Sequence, residues 1–344
     1  MKQPVNRKRL PLRRLCLGVA LSMGLGAAAW YLRRQALSGG QPAGRAPREA
    51  IGQGSDQERS GALAGPILIP IANPATVRPL IHLAGALIGT ERPAELIALK
   101  VVTPGKSNSL EQVSRYKISM QEHFSNALAQ ATEWAQGQGM PLRAEIVVAR
   151  DVPGAILEFA RGLTNLRLVL LGWRGAVSLR QVRRSVNQDI VRRAQAHVAV
   201  LRDRNLGPIR KILVPVGWGP HVRLGLRLAE ELVRNAGAQV TVLRVLPAVG
   251  EVDWEGERAA LVRLLTEEAP TLRYDTELRL VREPAPAPAI LAEARRESYD
   301  LLIIGASDEW WVRSWLFGAI PDRIAENAPC SVLLVRRYDP VAVI

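Results

Sequence analysis

The chain writes the same opening strand twice. "ILIPIANPA" begins at Ile67 and "ILVPVGWGP" begins at Ile212. With Ile67 laid on Ile212 and no gaps, Pro70 meets Pro215, Val77 meets Val222, Arg78 meets Arg223, Leu83 meets Leu228, Ala84 meets Ala229 and Leu87 meets Leu232. The far ends recur as well. "LVLLGWRG" from Leu168 parallels "LLIIGASD" from Leu301, and "AHVAVLR" from Ala196 parallels "CSVLLVR" from Cys330. Self-similarity between two copies of about 135 to 140 residues each means that one structural unit is built twice.

Each copy alternates short apolar runs with helical stretches. In the first, the pattern predicts strands over 67–71, 96–102, 144–148, 166–171 and 198–201, with helices over 77–88, 110–135, 155–163 and 182–194. The second copy repeats this order. Unbroken apolar runs such as "LRLVLL" and "DLLII" suit strands covered on both faces. The chain is therefore expected to be α/β, with two tandem doubly wound parallel five-stranded sheets over 65–204 and 208–338. Ligands of such sheets bind beyond the carboxyl ends of the strands at a switch point, so the residues after 71, 171, 216 and 304 become the candidates.

Ahead of the repeats, residues 15–32 carry no charge and are closed by Arg13/Arg14 and Arg33/Arg34. Their length and the terminal Trp30/Tyr31 pair predict a single transmembrane helix between a basic tail (1–14) and a flexible linker (33–64). A cleavable signal peptide and a buried helix are the competing readings. Up to Arg59 there are eleven basic residues against three acidic ones, so over half of the formal net charge of +14 lies outside the repeats. That charge would meet anionic lipid, and no aromatic interleaving points to nucleic acid. Six Lys/Arg residues before the apolar segment against four after it, as far as Arg48, weakly favour a cytoplasmic N-terminus with the repeats outside. Two cysteines and four scattered histidines offer neither a disulfide framework nor a metal site.

In the second copy the strand ending at Ile304 runs into Gly305 and Asp308, then nine residues, then Gly318 and Ala319 at a helix start. Glycines at a strand exit with free N–H groups opening a helix form a place where phosphates rest. A strand "VPV", a Gly-x-x-Gly, nine residues and a Gly-Ser/Thr before a helix and last strand resemble the universal stress protein superfamily, over both repeats. The wording "ILIPIANPA" and "GWRG" is further similar to the tandem region behind the last membrane helix of certain bacterial amino-acid permeases. The resemblance implies an adenine-nucleotide alpha hydrolase-like fold and two repeats packed as an intramolecular pseudo-dimer. It also implies a cytoplasmic location, against the charge count, and a membrane transporter as partner.

The family's site carries over with gaps. Its acidic residue after the first strand falls on Ala72 and Gly217, which carry no carboxylate. In the first copy Gly172 and Gly175 match, Arg174 lies between them, and Arg184 precedes Ser185 where the last glycine is expected. In the second copy Gly305 and Gly318 match, but Asp308 replaces a glycine and Ala319 the hydroxyl residue. A carboxylate about 4 Å from a phosphate opposes it by roughly 4 kcal/mol at an effective dielectric near 20. The first copy is therefore the better candidate for ATP or another adenine nucleotide. Tight strand-to-helix turns are the alternative explanation of the glycines in both copies, with no ligand at all.

The apolar loop "EWWVRSWLF" places Trp310, Trp311, Trp315 and Phe317 before Gly318, as contacts for a partner or as packing over the sheet end. No nucleophile with a matched histidine, no paired carboxylates and no P-loop Lys-Ser/Thr are present, so a sensing or regulatory role is expected ahead of an enzymatic one. An ATP-hydrolysing domain would need a carboxylate and a metal beside the nucleotide. One membrane helix cannot form a transport path, so the transporter-linked reading is that of a regulatory portion.

Overall fold

Ile67, Leu68 and Ile69 are all fully buried, so strand β1 (Ile67–Pro70) turns neither face to water. Such a strand is stable only between two layers of helices. The computed structural model describes residues 65–89, 94–104, 126–173, 186–272, 276–307 and 317–340. The expected tail, membrane helix and linker lie outside these residues, as does the first part of the helix expected over 110–135. Among the described residues no helix is long and apolar enough to cross a membrane.

The first half continues with α1 (Val77–Ile88), β2 (Leu96–Val102), α2 (Asn126–Gly137), β3 (Leu142–Val148), α3 (Val152–Arg161), β4 (Leu168–Gly172), α4 (Val186–Arg193) and β5 (Val198–Arg202). The second half repeats it as β6 (Lys211–Pro215), α5 (Pro220–Ala236), β7 (Gln239–Leu246), α6 (Trp254–Glu268), β8 (Glu277–Arg282), α7 (Pro286–Arg296), β9 (Leu301–Gly305), α8 (Ala319–Asn327) and β10 (Ser331–Arg336). Within each half the strands are parallel, and the order 3-2-1-4-5 recurs as 8-7-6-9-10.

The two halves do not form separate sheets, as expected from the sequence, but one ten-stranded sheet in the order β3-β2-β1-β4-β5-β10-β9-β6-β7-β8. The join is antiparallel, with Val332 opposite Arg202 and Arg336 opposite Val198. Its cause is physical. Val198, Ala199, Val200 and Val332 to Val335 are fully buried, and an unpaired edge beside them would leave backbone N–H and C=O groups without partners. The outer edges belong to β3 and β8, which are less buried and carry charge: Arg143 and Glu145 on one, Glu277, Arg279 and Arg282 on the other.

Side chains alternate between two apolar layers that run through both halves. Ile67, Ile69, Ile212 and Val214 join one layer, while Leu68, Leu99, Leu213 and Leu243 join the other. Helices α1 and α5 pack together across the join, and polar groups fix their relation. The Asn235 amide of α5 donates to the carbonyls of Ala86 and Leu87 at 3.0 and 3.1 Å, and Arg167 donates to the Leu87 carbonyl at 3.2 Å. These carbonyls are in the last turn of α1, where no intrahelical donor reaches them and the helix dipole favours cationic groups. Arg167 is buried beside Glu231 at 3.9 Å, and burial lowers its pKa despite that partner.

At the join, the Tyr338 N–H donates to Nδ1 of His197 at 2.9 Å. Burial first, then the charges of Arg337, Arg336, Arg227 and Arg167, lower the His197 pKa to about 4 from an ordinary value of 6.5. A group with a depressed folded pKa stabilises the fold fully above its unfolded pKa. The stabilisation is lost as pH falls from about 6.5 toward 4, by about 3 kcal/mol in total. His197→Asn, which retains an acceptor but cannot titrate, should flatten that part of the profile. Urea unfolding of both proteins from pH 7 to pH 4 measures it, and parallel profiles would remove His197 as the cause.

Candidate functional site

A cleft of about 540 Å³ opens at the carboxyl ends of β1, β2, β4 and β5, on the side covered by α3 and α4. It lies where the connections from β1 and β4 depart to opposite faces of the sheet, as expected for a switch point. Leu99, Val101, Val152, Ile156 and Leu171 form an apolar floor, and Asn73, Thr76, Asn187 and Arg202 form a polar rim. Among the described residues no aspartate or glutamate lines it. The volume is that of a small-molecule site.

Local chemistry holds this rim in place. Asn73 caps a one-turn 3-10 helix, Pro74–Thr76, by accepting from the Ala75 N–H at 3.0 Å, and the Thr76 hydroxyl donates back to the Asn73 carbonyl at 2.9 Å. Asn187, at the start of α4, donates to the Gly172 carbonyl at 2.8 Å and so pins that helix to the end of β4. A Cβ on Gly172 would come 3.3 Å from Thr76 Cβ, so the glycine lets the β1 and β4 exits approach closely. Ala72 lines the cleft without a carboxylate, and its carbonyl accepts from Lys100 Nζ at 3.4 Å. Of the residues expected from the sequence, Ala72 and Gly172 are therefore at the cleft; Arg174, Gly175 and Ser185 lie outside the described residues. Asn73, Thr76, Trp173, Asn187 and Arg202 are site residues that sequence reasoning missed.

In the second half, packing explains the glycines. A Cβ on Gly305 would sit 2.9 Å from the backbone of His221 and Val222, so the residue lets α5 rest on the end of β9. Gly318 has φ of 111°, and a Cβ there would meet Ser307 Oγ at 1.8 Å. The carboxylate of Asp322 accepts from the Phe317 N–H at 3.0 Å and brings its own negative charge to the start of α8, beside Ala319. A phosphate there would face a like charge at a helix end that already has its anion. Gly217 meets nothing within 4 Å of an added Cβ. Next to it Trp218 is 53% exposed and stacks on Arg244, whose guanidinium lies 4.8 Å from the ring centre and pairs with Glu257 at 3.0 Å.

Phe317 is a correction to the sequence reading. It is fully buried in the apolar layer beside Ile324 and Val332, so it anchors the start of α8 and is not available to a partner. Asp308, Trp310, Trp311 and Trp315 lie outside the described residues. Among the described residues no group of three or more His, Cys, Asp or Glu could hold a metal ion. The buried Cys330 thiol is raised to about 11, chiefly by desolvation, which keeps it protonated and inert.

Residues 208–336 match the model of the universal stress protein family, so the second half is similar to that family. No curated protein matches the sequence. Among solved structures, the whole pair of halves is similar to a universal stress protein from Archaeoglobus fulgidus at 15% identity, covering 78% of this chain and 97% of that one with a TM-score of 0.57. That likeness is one of fold. The cytoplasmic domain of a prokaryotic cation chloride cotransporter gives 15% identity, 80% and 96% coverage and a TM-score of 0.48. A universal stress protein from Archaeoglobus fulgidus in complex with dAMP gives 22% identity, 38% and 100% coverage and a TM-score of 0.29.

Gly305→Ala should destabilise the protein by about 1 to 3 kcal/mol through overpacking against α5. Gly217→Ala, which meets open space, should stay within about 0.5 kcal/mol of the parent. Equal effects in denaturant titrations would contradict the packing role of Gly305.

Proposed function

We propose that the chain is a regulatory module whose first half binds an adenine nucleotide, while its second half serves as a structural counterpart. The cleft at the ends of β1 and β4 carries this reading. Its apolar floor suits a flat base, and among the described residues its rim holds a cation and no carboxylate. The ligand class comes from the resemblance of the sequence around Gly172 and Gly175 to the universal stress protein motif. The missing carboxylate at Ala72 removes a group that would bind ribose or a metal, so binding without turnover is favoured over hydrolysis. Titration of ATP and ADP into the purified full chain should give saturable binding in the micromolar range. Val101→Trp, which fills the cleft, should abolish it; unchanged affinity would exclude this cleft as the site.

The module is proposed to be anchored by residues 15–32 with both halves in the cytoplasm, acting on a membrane transporter of the amino-acid permease class. The uncharged span closed by arginine pairs supports the anchor, and a nucleotide ligand supports the side of the membrane. A reporter active only in the periplasm, fused after Ile344, should stay silent. Activity there would overturn the cytoplasmic placement.

A further inference from the structure

We propose that Arg202 is the anion contact of the first-half cleft, taking over the charge-neutralising role that a phosphate cradle at the β4 exit would otherwise carry alone. The proposal rests on the nucleotide reading of this cleft and names the group that holds the ligand's phosphates.

The position follows from register. Leu201 is paired with Gly172, and the Trp173 N–H donates to the Leu201 carbonyl at 2.8 Å, so Arg202 stands beside the point where β4 leaves the sheet. Strand alternation puts Arg202 on the same face as Val198 and Val200, the face of the cleft. Among the described residues that line the cleft it is the one that is charged.

The other polar groups of the rim are committed. Asn187 holds the Gly172 carbonyl, Thr76 holds the Asn73 carbonyl, and Asn73 caps its own turn. Among the described residues Arg202 has no hydrogen-bond or ion-pair partner, and its Nε is buried. Buried guanidinium N–H groups are ordinarily satisfied, and an arginine left open in a cleft without carboxylates is arranged for an anion from outside.

The Nε of the equivalent arginine of the second half is likewise buried without a hydrogen-bond partner, so the halves differ at the terminal nitrogens of the guanidinium. In the repeat Arg336 is the equivalent of Arg202, and Arg336 is 5% exposed with its guanidinium donating to the carbonyls of Ala194 and Ala196 at 2.7 and 2.9 Å. The corresponding carbonyls for Arg202 belong to Ala328 and Cys330, and it bonds neither. Arg204 reaches the neighbouring α8 carbonyl, that of Glu326, at 2.6 Å in its place. One arginine of the pair fastens the join and the other is left facing the cleft.

The test is equilibrium binding of ATP, adenosine and tripolyphosphate to the full chain, its Arg202→Gln and Arg202→Lys variants, with circular dichroism and thermal melting to verify folding. Arg202→Gln should weaken ATP and tripolyphosphate by about tenfold or more and leave adenosine unchanged, with Arg202→Lys intermediate. ATP affinity unchanged by Arg202→Gln would overturn the proposal, and so would an equal loss of adenosine, which marks a structural role. Tripolyphosphate binding that depends on Arg202 without any adenosine affinity would uphold the anion contact while refuting the nucleotide reading. Absence of binding by all three probes would refute both.

Discussion

Everything in this architecture depends on the pairing of β5 with β10. Each half brings a buried strand to the join, and neither strand could remain an edge without stranding its backbone polar groups next to a fully apolar layer. Because the pairing is antiparallel, the parallel strands of one half run opposite to those of the other. The carboxyl ends of β1 to β5 therefore lie at one rim of the sheet and those of β6 to β10 at the opposite rim. Helices α1 and α5 complete the join, with Asn235 of the second half supplying donors to the last turn of α1.

From that near-symmetric frame the two halves diverge by small changes at their strand exits. The first half leaves an apolar floor, three polar side chains engaged in holding the rim, and one uncommitted guanidinium. The second half turns the same backbone geometry to packing: Gly305 admits α5, Phe317 fills the layer below, and Asp322 brings a carboxylate to the start of α8. The difference between a site and a scaffold here is one of side-chain commitment, since the strand order is the same in both halves.

The helix over Val77–Ile88 and the strand over Leu96–Val102 were legible to the residue, because apolar periodicity is strong there and Gly89 ends the helix. Helix α3 starts three residues earlier than the apolar pattern suggests, since Pro153 supports the first turn after Asp151. Edge strand β3 starts earlier too, at positions where Arg143 breaks the apolar run. The continuous sheet was not legible, because the join between β5 and β10 is non-local and leaves no signature beyond two apolar strands. The site was half legible. Gly172 and Ala72 follow from the switch-point rule, but Arg202 reads in sequence as the ordinary end of a strand. Only the different partners of Arg336 reveal its state. Phe317 stood between partner contact and packing because three tryptophans share its stretch, and its burial fits the packing reading.

The charged outer strands have a bearing on how many copies can be joined. A single half would present β5 as a smooth apolar edge, open to any second sheet. Duplication within one chain closes that edge permanently, and the remaining edges show Arg143 and Glu145 on one side and Glu277, Arg279 and Arg282 on the other. Among the described residues the sheet thus ends after ten strands, with charge on both of its outer edges. A chain built this way keeps a fixed one-to-one ratio of its two unlike halves, at any concentration at which it is made.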